Sequence, residues 1–248
     1  MRQLPLVSYI VPCFNNEPYI KECLDSINSQ RSSYPNIEII FIDDGSSDSS
    51  YQIALKNISK NDTAIRLNEN TGVGHALNTG FSIAKGEYLC FFAADDVILE
   101  KDKTYHQQLI METNHCDLSY YLDWYTGESI NNMKRTSAKF TRNSIPIGYF
   151  LNYIVPLNNW VLHKFLMMGD PINSGSLMIT RKAYKKYGAW NEEVLTTDYE
   201  FLLRYSRLGA KFRPLRGAPI FYRVHSNQSS NRDEQMTKGI EESRRLNR

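Results

Sequence analysis

Of four short apolar runs, LVSYIVP (6–12), IEIIFID (37–43), TAIRL (63–67) and EYLCFF (87–92), the first three each give way to a stretch of helical character and the fourth to a pair of carboxylates. Greasy runs with no period of two are covered on both faces, as in a parallel sheet built from strand-helix-strand units. The first hundred residues are therefore expected to form an α/β layer of Rossmann-like kind, a mostly parallel central sheet flanked by helices. In such sheets ligands sit beyond the carboxyl ends of the strands. There the chain reads VPCFNN (11–16), DDGSSDSS (43–50), NENTGVGHALN (68–78) and AADD (93–96), polar and acidic segments that would meet along one edge.

Beyond residue 99 the alternation loosens. A helix is expected from about Lys101 to Asn114, then a strand DLSYYLDWY, a polar stretch from Gly127 to Asn143 with the look of a mobile loop, and an apolar helical zone from Ile145 to Met168. A strand SGSLMI, a helix TTDYEFLLRYSRLG and a final strand APIFYRVH follow. The tail from Ser226 reads as too polar to pack, a surface helix or a disordered segment. The expected organisation is a donor-binding half (1–98), an acceptor-binding half carrying the base (99–225) and a polar tail (226–248).

Composition excludes several classes. With 29 Lys+Arg against 27 Asp+Glu, the net charge of +2 gives no ground for a nucleic-acid partner. Cys13, Cys23, Cys90 and Cys116 form no CxxC pair and no ladder of short spacings, which argues against zinc and disulfides and fits a reducing cytoplasm. The amino-terminal apolar stretch reads as a first strand, not a signal peptide, and Ile145 to Met168 is too interrupted for a membrane span. Its mixture with Lys164, Arg244, Arg245 and Arg248 is compatible with peripheral contact at an anionic inner membrane face.

Asp43-Asp44 and Asp95-Asp96 both close apolar runs, and carboxylates desolvated there need a cation or hydrogen-bond donors. Few, hard oxygen ligands suit Mg²⁺ or Mn²⁺, which bind substrate phosphates through one or two carboxylates, so a nucleoside diphosphate is the natural third party. Either pair alone fits equally well a turn or cap at the start of the next helix. NTGVGHALNTG matches neither GxGxxG nor GxxxxGK[ST], which disfavours a dehydrogenase or P-loop ATPase.

In order from Val7 to about Ser230, VSYIVPCFNNEPYIKECLDSI, IIFIDDGSSDSS, NENTGVGHALNTGFSIAKGEYLCFFAADD, TTDYEFLLRYSRLG and YRVHSNQSS resemble the glycosyltransferase family 2 enzymes of GT-A fold. The resemblance implies inverting transfer of a sugar from a nucleotide diphosphate, by the family default a UDP-sugar, to a hydroxyl of a saccharide or lipid-linked saccharide acceptor, in polysaccharide or glycoconjugate synthesis. It implies a divalent metal, Mn²⁺ or Mg²⁺. By the same likeness Pro12, Glu17, Asp43 or Asp44, and Asp95 contact the donor nucleotide; Asp95, Asp96 and His225 serve the metal; and Asp198 is the catalytic base. Ala93 departs from the family's Asp-x-Asp-Asp, and Thr197 stands where a Glu frequently precedes the base, which leaves open how Asp95 and Asp96 divide ribose and metal. Asp198 taken alone is equally a first-turn helix acid, and His225 a strand-end histidine. Of Tyr120, Tyr121, Trp124, Tyr149, Phe150, Tyr153, Trp160 and Trp190, most are expected in the core and some as acceptor platforms. Two rivals stand beside this reading: a sugar nucleotidyltransferase, and a catalytically inactive nucleotide- or sugar-binding module of the same fold, for which Ala93 and Thr197 speak.

Overall fold

The computed structural model describes residues 3–137, 159–226, 228 and 233–248. All four expected runs become strands of one seven-stranded sheet: β1 (Val7–Cys13), β2 (Ile37–Asp43), β3 (Thr63–Arg66) and β4 (Tyr88–Phe91). They lie in parallel, in the order β4-β1-β2-β3. β1, β2 and β4 are buried along their whole length, as runs without alternation require, whereas β3 is the half-exposed edge. The helices α1 (Ile20–Ser29), α2 (Ser50–Asn57) and α3 (Val73–Ile83) connect them. Gly80 lets α3 lie close on β1, since a Cβ there would come within 2.5 Å of Ile10 Cγ2.

The sheet continues past β4 with β9 (Met178–Thr180), antiparallel to both its neighbours, then β6 (Leu118–Tyr121) and β10 (Phe212–Leu215). Between β4 and β6 come β5 (Val97–Ile98) and α4 (Lys103–Asn114). The expected single strand DLSYYLDWY is divided: β6 ends at Tyr121, and β7 (Asp123–Gly127) belongs to a second, four-stranded sheet with β5, β8 (Lys134–Ser137) and β11 (Ile220–Arg223). Residues 130–137 of the expected loop instead form a 3-10 turn and β8, which pairs antiparallel with β7. The rest of that loop, and most of the 145–168 zone with Tyr149, Phe150 and Tyr153, lie outside the described residues.

Helices α5 (Asn159–Leu166), α6 (Arg181–Tyr187), α7 (Thr197–Arg207) and α8 (Asp233–Leu246) complete the described elements. Trp190 stacks on Phe201 at 4.1 Å between centroids, and Phe201 on Tyr205 at 3.8 Å, fixing α7 by its aromatic face. Such pairs contribute about 0.5–1.5 kcal/mol each beyond their burial. The tail takes the surface-helix alternative but, against expectation, it packs. α8 buries Ser243 and Asn247 against α7, because its contact face joins by polar side-chain bonds that an apolar pattern does not reveal. Tyr120, Tyr121 and Trp190 are core residues, whereas Trp160 is 66% exposed. Among the described residues no helix is long and apolar enough to cross a membrane.

Candidate functional site

The register β1↔β2 sets Cys13 beside Asp43, and β1↔β4 sets Ile10 beside Phe91, so the polar segments after β1, β2 and β4 leave the sheet at the same edge. Asp43 is buried; its Oδ1 accepts from the Ser46 amide at 3.3 Å. Its Oδ2 stands 3.2 Å from Arg66 Nε but off the hydrogen-bonding angle, which leaves that oxygen without a hydrogen bond. Asp44 is fully engaged: the Thr71 amide and hydroxyl, each at 2.8 Å, donate to Oδ1, and the Gly72 amide at 2.9 Å to Oδ2. Of the two, Asp43 has an oxygen held only by the Arg66 ion pair, and Asp44 shapes the loop before α3. Gly45, at φ 72°, passes so close to Glu69 that a Cβ would sit 2.6 Å from its carbonyl carbon.

Pro12 is buried at the end of β1. The next loop is fastened to the loop after β2: Asn15 Oδ1 accepts from the Ser47 amide at 2.9 Å, and exposed Glu17 accepts from the Ser49 amide at 2.9 Å. Asn15 takes φ 53°, a conformation asparagine tolerates better than most side chains.

The second acidic pair is completed from far along the chain. β11 runs antiparallel to β5, Ile220 opposite Ile98 and Phe221 opposite Val97, so the next residues of β11 return past Asp96 and Asp95. The Arg223 amide donates to Asp96 Oδ1 at 3.1 Å, and Arg223 Nε to the Asp95 carbonyl at 2.9 Å. The same guanidinium donates to the Glu128 carbonyl and pairs with Glu22 at 2.5 Å, lying over the Tyr19 ring. His225, beside the same ring, places Nε2 2.9 Å from Asp95 Oδ2. Asp96 is 2% exposed; burial first, and the neighbouring Asp95 charge second, push its carboxyl well above the usual carboxylate range.

For a divalent ion, the residues that fit are Asp95 and His225, whose Oδ2 and Nε2 face each other across hydrogen-bond distance. Among the described residues no three His, Cys, Asp or Glu side chains gather as a metal cluster. Two protein ligands nonetheless suit Mn²⁺ or Mg²⁺ shared with phosphate and water. Asp96 serves the Arg223 backbone through Oδ1.

Asp198 lies in the first turn of α7, half-buried, with Oδ1 accepting from the Tyr199 amide at 2.9 Å. Its approach to the sheet edge is controlled by glycine: a Cβ on Gly74 would lie 3.2 Å from both the Asn191 carbonyl oxygen and Thr197 Oγ1. Thr197 closes the turn before Asp198 by donating toward the carbonyls of Asn191 and Val194. Asp44 fixes Gly72, two residues before Gly74, so a continuous run of contacts joins the β2 edge to the helix carrying Asp198. Residues not singled out from sequence are Glu22, Arg66, Arg223 and Asp170. Arg223 had a signal, a lone cation inside the greasy strand IFYRVH.

The family model described as Glycosyl transferase family 2 matches residues 8–187. The chain belongs to glycosyltransferase family 2. This family 2 chain is 29% identical over 239 residues to an uncharacterized glycosyltransferase of Rickettsia felis, covering 91% of this chain and 35% of the relative. A Haemophilus influenzae glycosyltransferase is 38% identical over 172 residues, 60% of this chain and 67% of that one. The chain thus spans 35% of the Rickettsia felis relative and 66% of a Rickettsia typhi one. Among solved structures, S. aureus TarS 1-349 in complex with UDP-GlcNAc superposes with a TM-score of 0.69 at 20% identity, over 92% of this chain and 61% of that one. Mannosyltransferase PcManGT from Pyrobaculum calidifontis, in complex with GDP-Man and Mn²⁺, gives 0.69 at 15%, over 96% and 63%. The fold is that of the GT-A glycosyltransferases.

Proposed function

We propose that the protein is an inverting glycosyltransferase that uses a nucleotide-diphosphate sugar and a divalent metal to glycosylate a hydroxyl of a saccharide or lipid-linked saccharide. The observation that carries this reading is the Asp95–His225 pair at the sheet edge where Asp43 and Asp44 also emerge, with Asp44 linked through Gly72 and Gly74 to the Asp198 helix. UDP, GDP and manganese in the related structures support the donor class.

Asp43, with Pro12 and the loop around Glu17, would receive the nucleoside, and Asp95 and His225 would hold the metal. The metal, when bound, neutralises charge on the departing diphosphate. Asp198 takes the proton of the attacking hydroxyl, which needs a base within hydrogen-bond reach on the face opposite the leaving group. Arg223, anchored by Glu22 and the Asp95 carbonyl, keeps a positive charge beside the acid pair and holds its backbone still. A single displacement with one base inverts the anomeric centre. Ala93 favours a second reading, a donor-binding module without turnover. It predicts nucleotide binding with no nucleotide release from the sugar donor.

A thermal-shift screen of UDP, UDP-GlcNAc, GDP and GDP-mannose with and without Mn²⁺ tests donor class and metal together. The expected result is a melting-temperature rise for one nucleotide class only when Mn²⁺ is present, abolished in Asp95→Asn. No shift with any of the four, or an equal shift in Asp95→Asn, contradicts the assigned site.

A further inference from the structure

The base helix is steadied from behind by α8. Thr196 Oγ1 and Ser243 Oγ are 2.9 Å apart and buried, Asn247 Nδ2 donates to Glu200 Oε1 at 3.3 Å, and a Cβ on Gly239 would lie 3.1 Å from Thr196 Cγ2. These contacts fall on residues 196 and 200, either side of Asp198. Arg244 adds a connection of another kind. Its Nε donates to the Tyr199 hydroxyl at 3.1 Å and its Nη2 to the Met168 carbonyl at 3.0 Å, while the Tyr199 hydroxyl donates in turn to the Leu166 carbonyl. Tyr199, the residue after the base, is 1% exposed. One guanidinium therefore couples the first turn of α7 to the segment 166–170. That segment runs on to Asp170, whose Oδ1 accepts from the Ile172 amide at 3.2 Å.

We infer that Arg244 is a positioning residue for Asp198: by holding Tyr199 and the Met168 carbonyl at once, it fixes the rotation of α7 and the wall of the acceptor site beside the base. This rests on the assignment of Asp198 as base. The planar guanidinium suits the task because two separate N–H groups point at two separate segments, which a lysine's single ammonium reproduces only in part. A misplacement of about 1 Å at a reacting group costs about 10²-fold in rate.

The test measures nucleotide release, with water as acceptor, from whichever of UDP-GlcNAc and GDP-mannose gives the larger thermal shift with Mn²⁺. Arg244→Ala is expected to lower kcat by about 10- to 100-fold, leaving the donor KM and the nucleotide-induced thermal shift as in wild type. Arg244→Lys should recover part of the loss. Tyr199→Phe should lower kcat similarly, and the double variant should fall little further, since both remove one linkage. Wild-type kcat in Arg244→Ala alongside an inactive Asp198→Asn overturns the inference alone. So does additivity of the two variants, or a loss shared equally by kcat and donor binding. Full turnover in Asp198→Asn would instead sink the base assignment and the inference with it. Arg244→Lys and Tyr199→Phe, being conservative, keep the question answerable if Arg244→Ala fails to fold.

Discussion

The sheet edge proposed for the donor and the helix proposed to carry the base hold their carboxylates by different means. Asp43 and Asp44 end a strand whose register is set by a parallel ladder on both sides, and Asp95 and Asp96 are pinned by main-chain and guanidinium bonds from β11. Asp198 sits at the start of a helix located by side chains: Thr197 on the preceding turn, Ser243 and Asn247 from α8, and Arg244 through Tyr199. A ladder of backbone bonds tolerates changes of side chain, whereas a side-chain scaffold loses a bond with each substitution. Substitutions behind the base are therefore expected to change turnover without changing binding, and those at the sheet edge to change both.

The largest expected effect breaks the comparison cleanly. Asp198→Asn should lower turnover by about 10²- to 10⁴-fold and leave the Mn²⁺-dependent thermal shift intact, whereas Asp95→Asn should abolish both. Loss of nucleotide binding in Asp198→Asn would merge the two regions into one. At the seam between them, Gly74→Ala is expected to have an intermediate effect. A methyl group there meets Asn191 O and Thr197 Oγ1 at 3.2 Å, an overpacking cost of about 1–3 kcal/mol. Against it stands a gain of about 1 kcal/mol in helix propensity at this first-turn position. Net destabilisation should stay below about 2 kcal/mol in urea melts, while kcat drops about 10-fold through the displaced turn.

The smallest effect on function belongs to Lys103, wholly buried against the Tyr9 hydroxyl and ring. Burial lowers its pKa, so the folded state binds fewer protons than the unfolded one. The contribution of Lys103 to stability therefore rises with pH between its lowered folded-state pKa and the unfolded value of 10.5, and is flat below that window. Lys103→Met should raise stability at pH 7 by about 1 kcal/mol or more, flatten that slope and leave kcat unchanged. Urea melts of wild type and Lys103→Met from pH 7 to 10 check it, and identical pH profiles together with no gain in stability would remove Lys103 from the account.

Much of the donor edge was legible because it is written in short range. Strands buried on both faces show as unbroken greasy runs, and the acids that close them can be read in place. β10 was not foreseen, since FRPL carries Pro214 and an arginine and lacks either strand signature. The division of DLSYYLDWY between two sheets was equally hidden, because β6 and β7 differ only in which partners they find. Asp198 and His225 came from family likeness, while Arg223 and Glu22 were passed over and Arg244 was read only as a cation for a membrane face. Their roles depend on pairings across the fold, such as Arg223 with Glu22, which no local spacing encodes. The tail's helix was one of the two alternatives read from sequence; its packing was missed for the related reason that polarity is a poor guide where serine, asparagine and arginine make the contact.

The return of β11 beside β5 has a consequence for biosynthesis. His225 and Asp95 are 130 positions apart in sequence, and Arg223 closes on the acid pair from nearly as far. During translation the first four strands can emerge and assemble while the cradle for a cation stays half built. If Asp95 and His225 hold a metal as proposed, metal-dependent nucleotide binding would arise only after β11 has left the ribosome, so its appearance on a nascent chain would report that β11 has docked beside β5.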